Sequence, residues 1–298
     1  KKNWSGGLST YGIVVFREPV EVSLAEVKMI EELGVTFKNN TEIGKDLSFD
    51  QLVKDHDAVF LAIGLGSVPA MEVPGEHLTG VLDGLEFVAE TKTESLDSIK
   101  HGQRICVIGA GNTAIDCATI ARRLGAERVT MIYRRSEAEM PAYHFEYEFA
   151  LKEGVSFMFL TQPVEILSND KGEVDGLKCI RMDLGKPDAS GRRSPVPVPD
   201  SEFVVPCDMV IKAIGQNKPS GVLAMLAPFG VEQVKGYLKV DKGNRTSHEK
   251  IFAGGDCVRS HGEASTVMAV QDGKIAAASI AKQLLGAAKP LAEAVSKR

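Results

Sequence analysis

The apolar run Ile105-Cys106-Val107-Ile108 is followed at once by Gly109-Ala110-Gly111-Asn112-Thr113-Ala114 and then by apolar residues at Ile115, Ala118, Ile120, Ala121 and Leu124. A short buried strand followed by helical spacing requires a sharp turn, and glycine is needed where the chain reverses and where another group must approach the backbone. Gly125 then supplies a helix stop, and Val129-Thr130-Met131-Ile132-Tyr133 reads as the next strand. The pattern predicts a βαβ half-unit with parallel strands, and therefore an α/β chain.

A helix that opens on such a turn presents N–H groups and the positive end of its dipole to an anion. Gly-x-Gly is common by chance, but the strand before it and the helix after it give it weight. The expected ligand of Gly109, Gly111, Asn112, Thr113 and Ala114 is the pyrophosphate of a dinucleotide, with alanine standing at the third glycine position. The end of the second strand meets the adenosine ribose, where a carboxylate would hold NAD. This chain has Arg134-Arg135 there. Fixed guanidinium groups suit an extra phosphate, so NADPH is expected rather than NADH.

At 298 residues, 44% of them hydrophobic, the chain exceeds one ordinary domain and can build packed cores. A net charge of -5 argues against a nucleic-acid partner. The pairs Arg122-Arg123 and Arg192-Arg193 read as solvated surface. No apolar run approaches the roughly 20 residues of a membrane span, and Lys1-Lys2-Asn3-Trp4-Ser5-Gly6-Gly7 lacks a signal-peptide core. A soluble, cytoplasmic protein without nucleic-acid or membrane partners is expected. The five cysteines, Cys106, Cys117, Cys179, Cys207 and Cys257, show no paired spacing. They read as small core residues, with no metal site.

The segment Asp57-Ala58-Val59-Phe60-Leu61-Ala62-Ile63-Gly64 recurs as Asp208-Met209-Val210-Ile211-Lys212-Ala213-Ile214-Gly215, with Asp, Val and Ala-Ile-Gly in register. Such self-similarity predicts two related domains, each with a buried strand whose tip abuts a ligand. The second copy has a Gly-rich turn well upstream, and the equivalent position for the first copy falls before residue 1. The first dinucleotide-binding domain is therefore expected to lack its first βαβ unit.

Elsewhere, Val20, Leu24, Val27, Ile30 and Leu33 mark an amphipathic helix stopped by Gly34, with Val35-Thr36-Phe37 as a strand after it. Residues 87–99 read as a polar, helix-like connection. Short β-like runs between about 155 and 206 suggest a hairpin excursion whose 185–199 stretch is an exposed loop. Near the end, Ile251-Phe252-Ala253-Gly254-Gly255-Asp256 reads as a strand whose tip a cofactor can approach, with a carboxylate able to accept from a ribityl hydroxyl. The helix start at Thr266-Val267 offers N–H groups to charge on a reduced flavin.

With these pieces assembled, the chain resembles the NADPH-to-FAD electron-input flavoproteins, namely the glutamate synthase small subunit and the flavin half of dihydropyrimidine dehydrogenase. The resemblance rests on Gly6-Gly7-Leu8-Ser9-Thr10-Tyr11-Gly12-Ile13, Phe16-Arg17, Ala62-Ile63-Gly64, Gly109 through Asp116, Tyr133-Arg134-Arg135, Glu139-Met140-Pro141-Ala142, Ala213-Ile214-Gly215 and Phe252-Ala253-Gly254-Gly255-Asp256. It implies two Rossmann-like dinucleotide-binding domains of the flavoprotein-reductase type, the first incomplete. The NADP domain (99–218) would be inserted between the parts of the FAD domain (1–98 and 219–298). It places Gly6, Gly7, Leu8, Arg17, Gly64, Gly255, Asp256, Thr266 and Val267 near FAD. Gly111, Asn112, Thr113, Ala114, Arg134, Arg135, Ala213, Ile214 and Gly215 would lie near NADPH.

The implied chemistry is hydride transfer from NADPH to FAD, then electron transfer to an iron–sulfur domain or subunit and a catalytic partner subunit. A homo-oligomer is compatible with this. No acid or base is obligatory, so His144, Glu146, Glu148, His261 and Glu263 are read as solvated or structural, and no catalytic residue is assigned. The alternatives are the electron-input part of a dihydropyrimidine dehydrogenase, a flavin disulfide reductase, and a non-enzymatic NADPH-binding module.

Overall fold

The computed structural model describes residues 2–187, 191–258 and 265–286. The chain divides into two compact units, a smaller one drawn from 1–3, 38–66 and 217–298 and a larger one from 4–37 and 67–216. The early elements are α1 (Gly7–Tyr11), α2 (Val20–Glu32), α3 (Phe49–Asp55) and β1 (Val59–Leu61). There follow β2 (Val81–Asp83), α4 (Gly84–Thr93), β3 (Arg104–Ile108), α5 (Asn112–Arg123), β4 (Arg128–Ile132), α6 (His144–Lys152) and β5 (Ser156–Met158). Next come β6 (Thr161–Ser168), β7 (Val174–Pro187), β8 (Arg193–Pro197), β9 (Phe203–Val205) and β10 (Met209–Lys212). The chain continues with α7 (Ser220–Leu226), β11 (Gln233–Val234), β12 (Tyr237–Leu238), β13 (Ile251–Ala253) and α8 (Thr266–Leu285).

The larger unit is built on a five-stranded sheet of order β2-β10-β3-β4-β5, parallel throughout. Its central strand β3 carries the continuous apolar run, and the two-residue period sends alternate side chains to opposite faces. Ile105 and Val107 enter a core with Ala114, Ile115, Ala118 and Ala121 of α5 and with Phe87 and Val88 of α4. Cys106 and Ile108 enter a second core with Ile166, Leu177 and Cys179 of an antiparallel sheet. That sheet runs β6-β7-β8, with β9 also paired to β7. Helices, parallel sheet and antiparallel sheet thus form three layers.

Several expectations need correction. The hairpin excursion is present and much of its 185–199 stretch is exposed, but strand extends further into that stretch than expected: β7 runs to Pro187 and β8 resumes at Arg193, the strands pairing from Met182↔Pro197 to Pro187↔Arg193. Residues 35–37 form no strand; no strand of the described residues pairs with them. Helix α2 forms where expected and Gly34 follows it at φ 97°, yet its apolar stripe is only partly covered, with Val20, Leu24 and Val27 half-buried and Leu33 80% exposed. Its one buried residue is polar, Ser23, whose Oγ lies 2.6 Å from Thr10 Oγ1. The packing boundaries also differ from 98/99: residues 67–98 pack with the larger unit, since β2 pairs with β10 and Phe87 is 1% exposed in its helical core. Because Phe87 and Val88 are apolar and buried, the first part of the 87–99 segment, to Thr93, is packed helix rather than polar connection, and a 3-10 turn at Leu96–Ser98 follows.

In the smaller unit β1 pairs in parallel with β13, Val59 opposite Ile251. Phe49 and Val53 of α3, Leu226 of α7 and Leu238 of β12 pack with them in one core. The two copies of the sequence repeat therefore supply one parallel strand to each unit, β1 and β10. Each strand leads to a glycine of positive φ, Gly64 at 59° and Gly215 at 99°.

A charged cluster ties the N-terminal part of the larger unit to its helices. Arg17 forms a two-pronged ion pair with Glu146 of α6 and places Nε 2.9 Å from Asp116 Oδ1 of α5. Burial is the main influence on Asp116 and raises its pKa to about 6, against the pull of Arg17 and with a push from Glu146. A carboxyl whose folded pKa is raised stabilises the fold most fully below its unfolded pKa, and that contribution is lost as pH rises through about 6. Asp116→Asn, which keeps the acceptor for Arg17, should therefore flatten the fall in thermal midpoint between about pH 4 and pH 6.5. Parallel melting-temperature profiles for the two proteins would count against this account.

Candidate functional site

At the C-terminal ends of β3, β4 and β10 the larger unit holds a cavity of about 500 Å³. Its floor is the glycine turn. Gly109 has φ 128°, and a Cβ there would sit 2.2 Å from the Ala213 carbonyl oxygen, so no other residue fits. Gly111, by contrast, faces open space where a Cβ would meet nothing within 4 Å. Gly111 caps α5, and its carbonyl accepts from Ala114 N–H at 2.9 Å and Ile115 N–H at 3.1 Å. The N–H groups of Asn112 and Thr113 precede these bonds and stand at the helix end, as an anion site requires. Ala114 is fully buried and serves the packing of helix on sheet.

The Glu139-Met140-Pro141-Ala142 segment braces this turn. Ala142 N–H donates to Ala110 O at 3.1 Å, and Tyr143 N–H donates to Asn112 Oδ1 at 3.3 Å. A capping box between Ser136 and Glu139 shapes the segment, and the Tyr133 hydroxyl donates to Glu139 O at 2.9 Å. Pro141 and Tyr133 both line the cavity.

The two arginines that follow β4 do different things. Arg134 is exposed and lines the cavity. Arg135 also lines it but is 7% exposed, and its Nε donates to the Arg193 carbonyl at 2.8 Å, tying the end of β4 to the start of β8. Arg192 and Arg193 are exposed, in keeping with their reading as solvated surface, but they are also placed by the fold. Arg192 lines the cavity, and Arg193 donates through Nε to Gly185 O at 3.2 Å and through Nη2 to Leu184 O at 2.5 Å.

Other lining residues carried no sequence signal. Ala70, Met71 and Val73 form one wall, held by Glu76, which accepts from Met71 N–H at 2.8 Å and Glu72 N–H at 2.9 Å and pairs with Lys212 at 2.9 Å. Burial would raise the Glu76 pKa, but the bonds from Met71, Lys212 and Glu72 outweigh it and hold the carboxyl below the usual range. Thr161, Gln162 and Pro163 of β6 complete the opposite wall. Ala213, Ile214 and Gly215, expected near NADPH, line the cavity.

The residues expected near FAD fall in both units. Gly64, Gly255, Asp256, Thr266 and Val267 belong to the smaller one. Gly254 is extended, at φ -161°, and is required by closeness, since a Cβ would lie 2.7 Å from Asp272 Cβ and 2.8 Å from Phe60 Cζ. Asp272, 5% exposed, accepts from Gly255 N–H at 2.8 Å and so fixes the Gly-Gly-Asp turn from inside α8. Sequence reading missed Asp272; its signal was an acid inside an Ala-rich helix. Ser265 caps α8 by accepting from Met268 N–H at 3.2 Å, and Ala269 N–H makes the first intrahelical bond. The N–H groups of Thr266 and Val267 are left at the helix end.

Gly6, Gly7, Leu8 and Arg17 belong to the larger unit. Gly6 caps the short α1 at φ 112°, Leu8 is 44% exposed, and Arg17 is engaged with Asp116 and Glu146. Glu146 is thus structural, and His144 pairs with Glu148 on an exposed helix face at 3.3 Å. His261 and Glu263 lie outside the described residues. All five cysteines are buried thiols. Among the described residues there is no cluster able to hold a metal ion, and no helix is long and apolar enough to cross a membrane.

Comparison with known proteins agrees with this architecture. The family model described as pyridine nucleotide-disulphide oxidoreductase matches residues 17–273. The chain is 42% identical over 283 residues to the NADP(+)-dependent formate dehydrogenase subunit beta of Moorella thermoacetica, covering 94% of this chain and 39% of that protein. It is 39% identical over 290 residues to the glutamate synthase [NADPH] small chain of Escherichia coli K12, covering 92% of this chain and 60% of that one. It thus spans less than two thirds of either relative. Among solved structures, Mycobacterium tuberculosis FprA in complex with NADPH superimposes with a TM-score of 0.69 at 19% identity, over 99% of this chain and 80% of that one. A reductase-type α/β frame with two parallel-strand nucleotide folds, and close relatives among NADPH-linked subunits, place the chain in the pyridine nucleotide-disulphide oxidoreductase family.

Proposed function

We propose that the chain is the NADPH-oxidising, FAD-dependent input module of a larger oxidoreductase, of the glutamate synthase small-chain kind. The observation that carries this reading is the cavity at the ends of β3, β4 and β10, where an open glycine at the start of α5 and an arginine-lined rim meet. The N–H groups of Asn112 and Thr113 suit a pyrophosphate, Gly111 lets it approach the backbone, and Arg134 suits a 2′-phosphate. In the smaller unit, Asp256 is proposed to accept from a ribityl hydroxyl, and the N–H groups of Thr266 and Val267 to face the flavin. When bound, FAD supplies the chemistry of taking one hydride, with its two electrons, and releasing those electrons singly. The chain's own task is to hold both nucleotides in orientation and to exclude water, which needs no general acid or base.

The onward acceptor is proposed to be an iron–sulfur domain or subunit, then a catalytic partner. Both relatives named above bear subunit names, a subunit beta and a small chain, which supports a partner subunit here. A disulfide-reducing role has less support. Burial pushes the thiols of Cys117, Cys179 and Cys257 up, so none of these is prepared as an attacking thiolate.

The direct test is to purify the full-length gene product and add NADPH without oxygen. Yellow protein that bleaches is the expected result, and a colourless protein that binds nucleotide without redox change would overturn the reading in favour of a binding module. Arg134→Glu should weaken NADPH use by about 1.5–3 kcal/mol, while NADH use changes little. Equal losses with both nucleotides, measured as kcat/KM, would remove Arg134 from the phosphate site. Asp256→Ala should lower the flavin-to-protein ratio after gel filtration and leave NADPH affinity unaltered.

A further inference from the structure

The cavity wall formed by Ala70, Met71 and Val73 belongs to no helix or strand, yet it is anchored at three points. Pro74 O accepts from Ile166 N–H of β6 at 2.9 Å. Gly75, at φ 87°, lies so close to β6 that a Cβ would sit 2.2 Å from the Ile166 carbonyl oxygen. Glu76 then turns back on the wall. Its Oε1 accepts from Met71 N–H at 2.8 Å and from Lys212 Nζ at 2.9 Å, and its Oε2 accepts from Glu72 N–H at 2.9 Å. Lys212 is the last residue of β10, so one carboxylate ties the wall to the parallel sheet while Pro74 and Gly75 tie it to the antiparallel sheet.

The backbone of this wall needs such support. Glu72 has φ 60°, a left-handed conformation that is unfavourable for a residue with a Cβ. Two successive N–H groups converging on one carboxylate offset that strain, since a bond to an ionised acceptor is stronger than one between neutral groups. The side chains of Glu76 and Lys212 are only 18% and 17% exposed, so their pairing is shielded from salt. Neither residue lines the cavity, and the three wall residues they hold are apolar, with no group for a phosphate. The wall therefore suits the uncharged part of a dinucleotide, which NADPH and NADH share. We propose that Glu76 is a positioning residue of the nucleotide site, which together with Lys212 fixes the 70–73 wall against that part. This rests on the nucleotide reading given above and adds to it a residue outside both the βαβ unit and its arginines.

The test uses the full chain, isothermal titration with NADP+ and NAD+, and steady-state oxidation of NADPH with an artificial electron acceptor. Glu76→Gln should weaken both nucleotides by the same factor, roughly three- to tenfold, and raise KM for NADPH in proportion while kcat stays within about twofold. Lys212→Met should act in the same direction. The double variant should lose no more than the larger single loss, because both substitutions open one latch. Unchanged affinity in Glu76→Gln, a loss confined to NADP+, or additive losses in the double variant overturns the role of Glu76. A wild-type chain that binds neither nucleotide overturns instead the reading beneath it. Thermal midpoints on the same samples separate a displaced wall from a lost fold, and where Glu76→Gln does not fold, Glu76→Asp, which keeps the charge on a shorter arm, carries the same comparison.

Discussion

The close approach of Gly109 to the Ala213 carbonyl governs the rest of the larger unit. Gly109 N–H donates to Ile132 O of β4 at 3.0 Å, Ala213 N–H donates to Ile108 O of β3 at 2.8 Å, and no space for a Cβ remains between the tips. Three neighbouring strands are thus gathered at one backbone node. Any side chain at 109 would part β3 from β10 and move the start of α5 away from the strand ends. In open α/β sheets ligands bind at the carboxyl ends of the strands, where the connections diverge. Here the chain leaves β3 through α5 on one face, while the antiparallel sheet covers the other.

That second face explains why the cavity has walls at all. A parallel sheet with helices on one side only would leave Cys106, Ile108 and Val210 in water. The antiparallel sheet buries them, together with Cys179 and Cys207. Its hydrogen bond with Cys207 and then burial push the Cys106 thiol well up, so it stays protonated and packs as a small apolar side chain. By seating Thr161 to Pro163 beside the glycine turn, this packing layer also becomes part of the site.

What could be read from the sequence follows from the range of the interaction that fixed each feature. The β3–α5–β4 path was legible because an apolar run, a glycine turn and a helix period are local and mutually consistent. The parallel strand in each unit was legible because Asp57 to Gly64 and Asp208 to Gly215 repeat one another. The 35–37 strand was not, since Val35 and Phe37 have β propensity but no neighbouring strand supplies hydrogen bonds, and propensity without a partner decides little. The Ala70 to Val73 wall was invisible because it depends on Glu76 meeting Lys212, residues brought together only by the fold. The extent of β7 and β8 was hidden for a related reason. A Gly-, Pro- and Ser-rich stretch reads as the loop of a hairpin, yet Pro187 pairs with Arg193 across it.

The same contacts fix the cations around the cavity. Lys212 directly precedes Ala213 and would be an obvious phosphate partner, but its ammonium is spent on Glu76, whose carboxyl is held ionised by backbone N–H groups as well. Arg135 faces the cavity but is buried, with its Nε bonded to the Arg193 carbonyl. Arg134 is exposed at the same cavity. Of the two arginines that follow β4, one therefore joins the parallel sheet to the antiparallel sheet through the Arg193 carbonyl, and the other stands in solvent at the cavity rim.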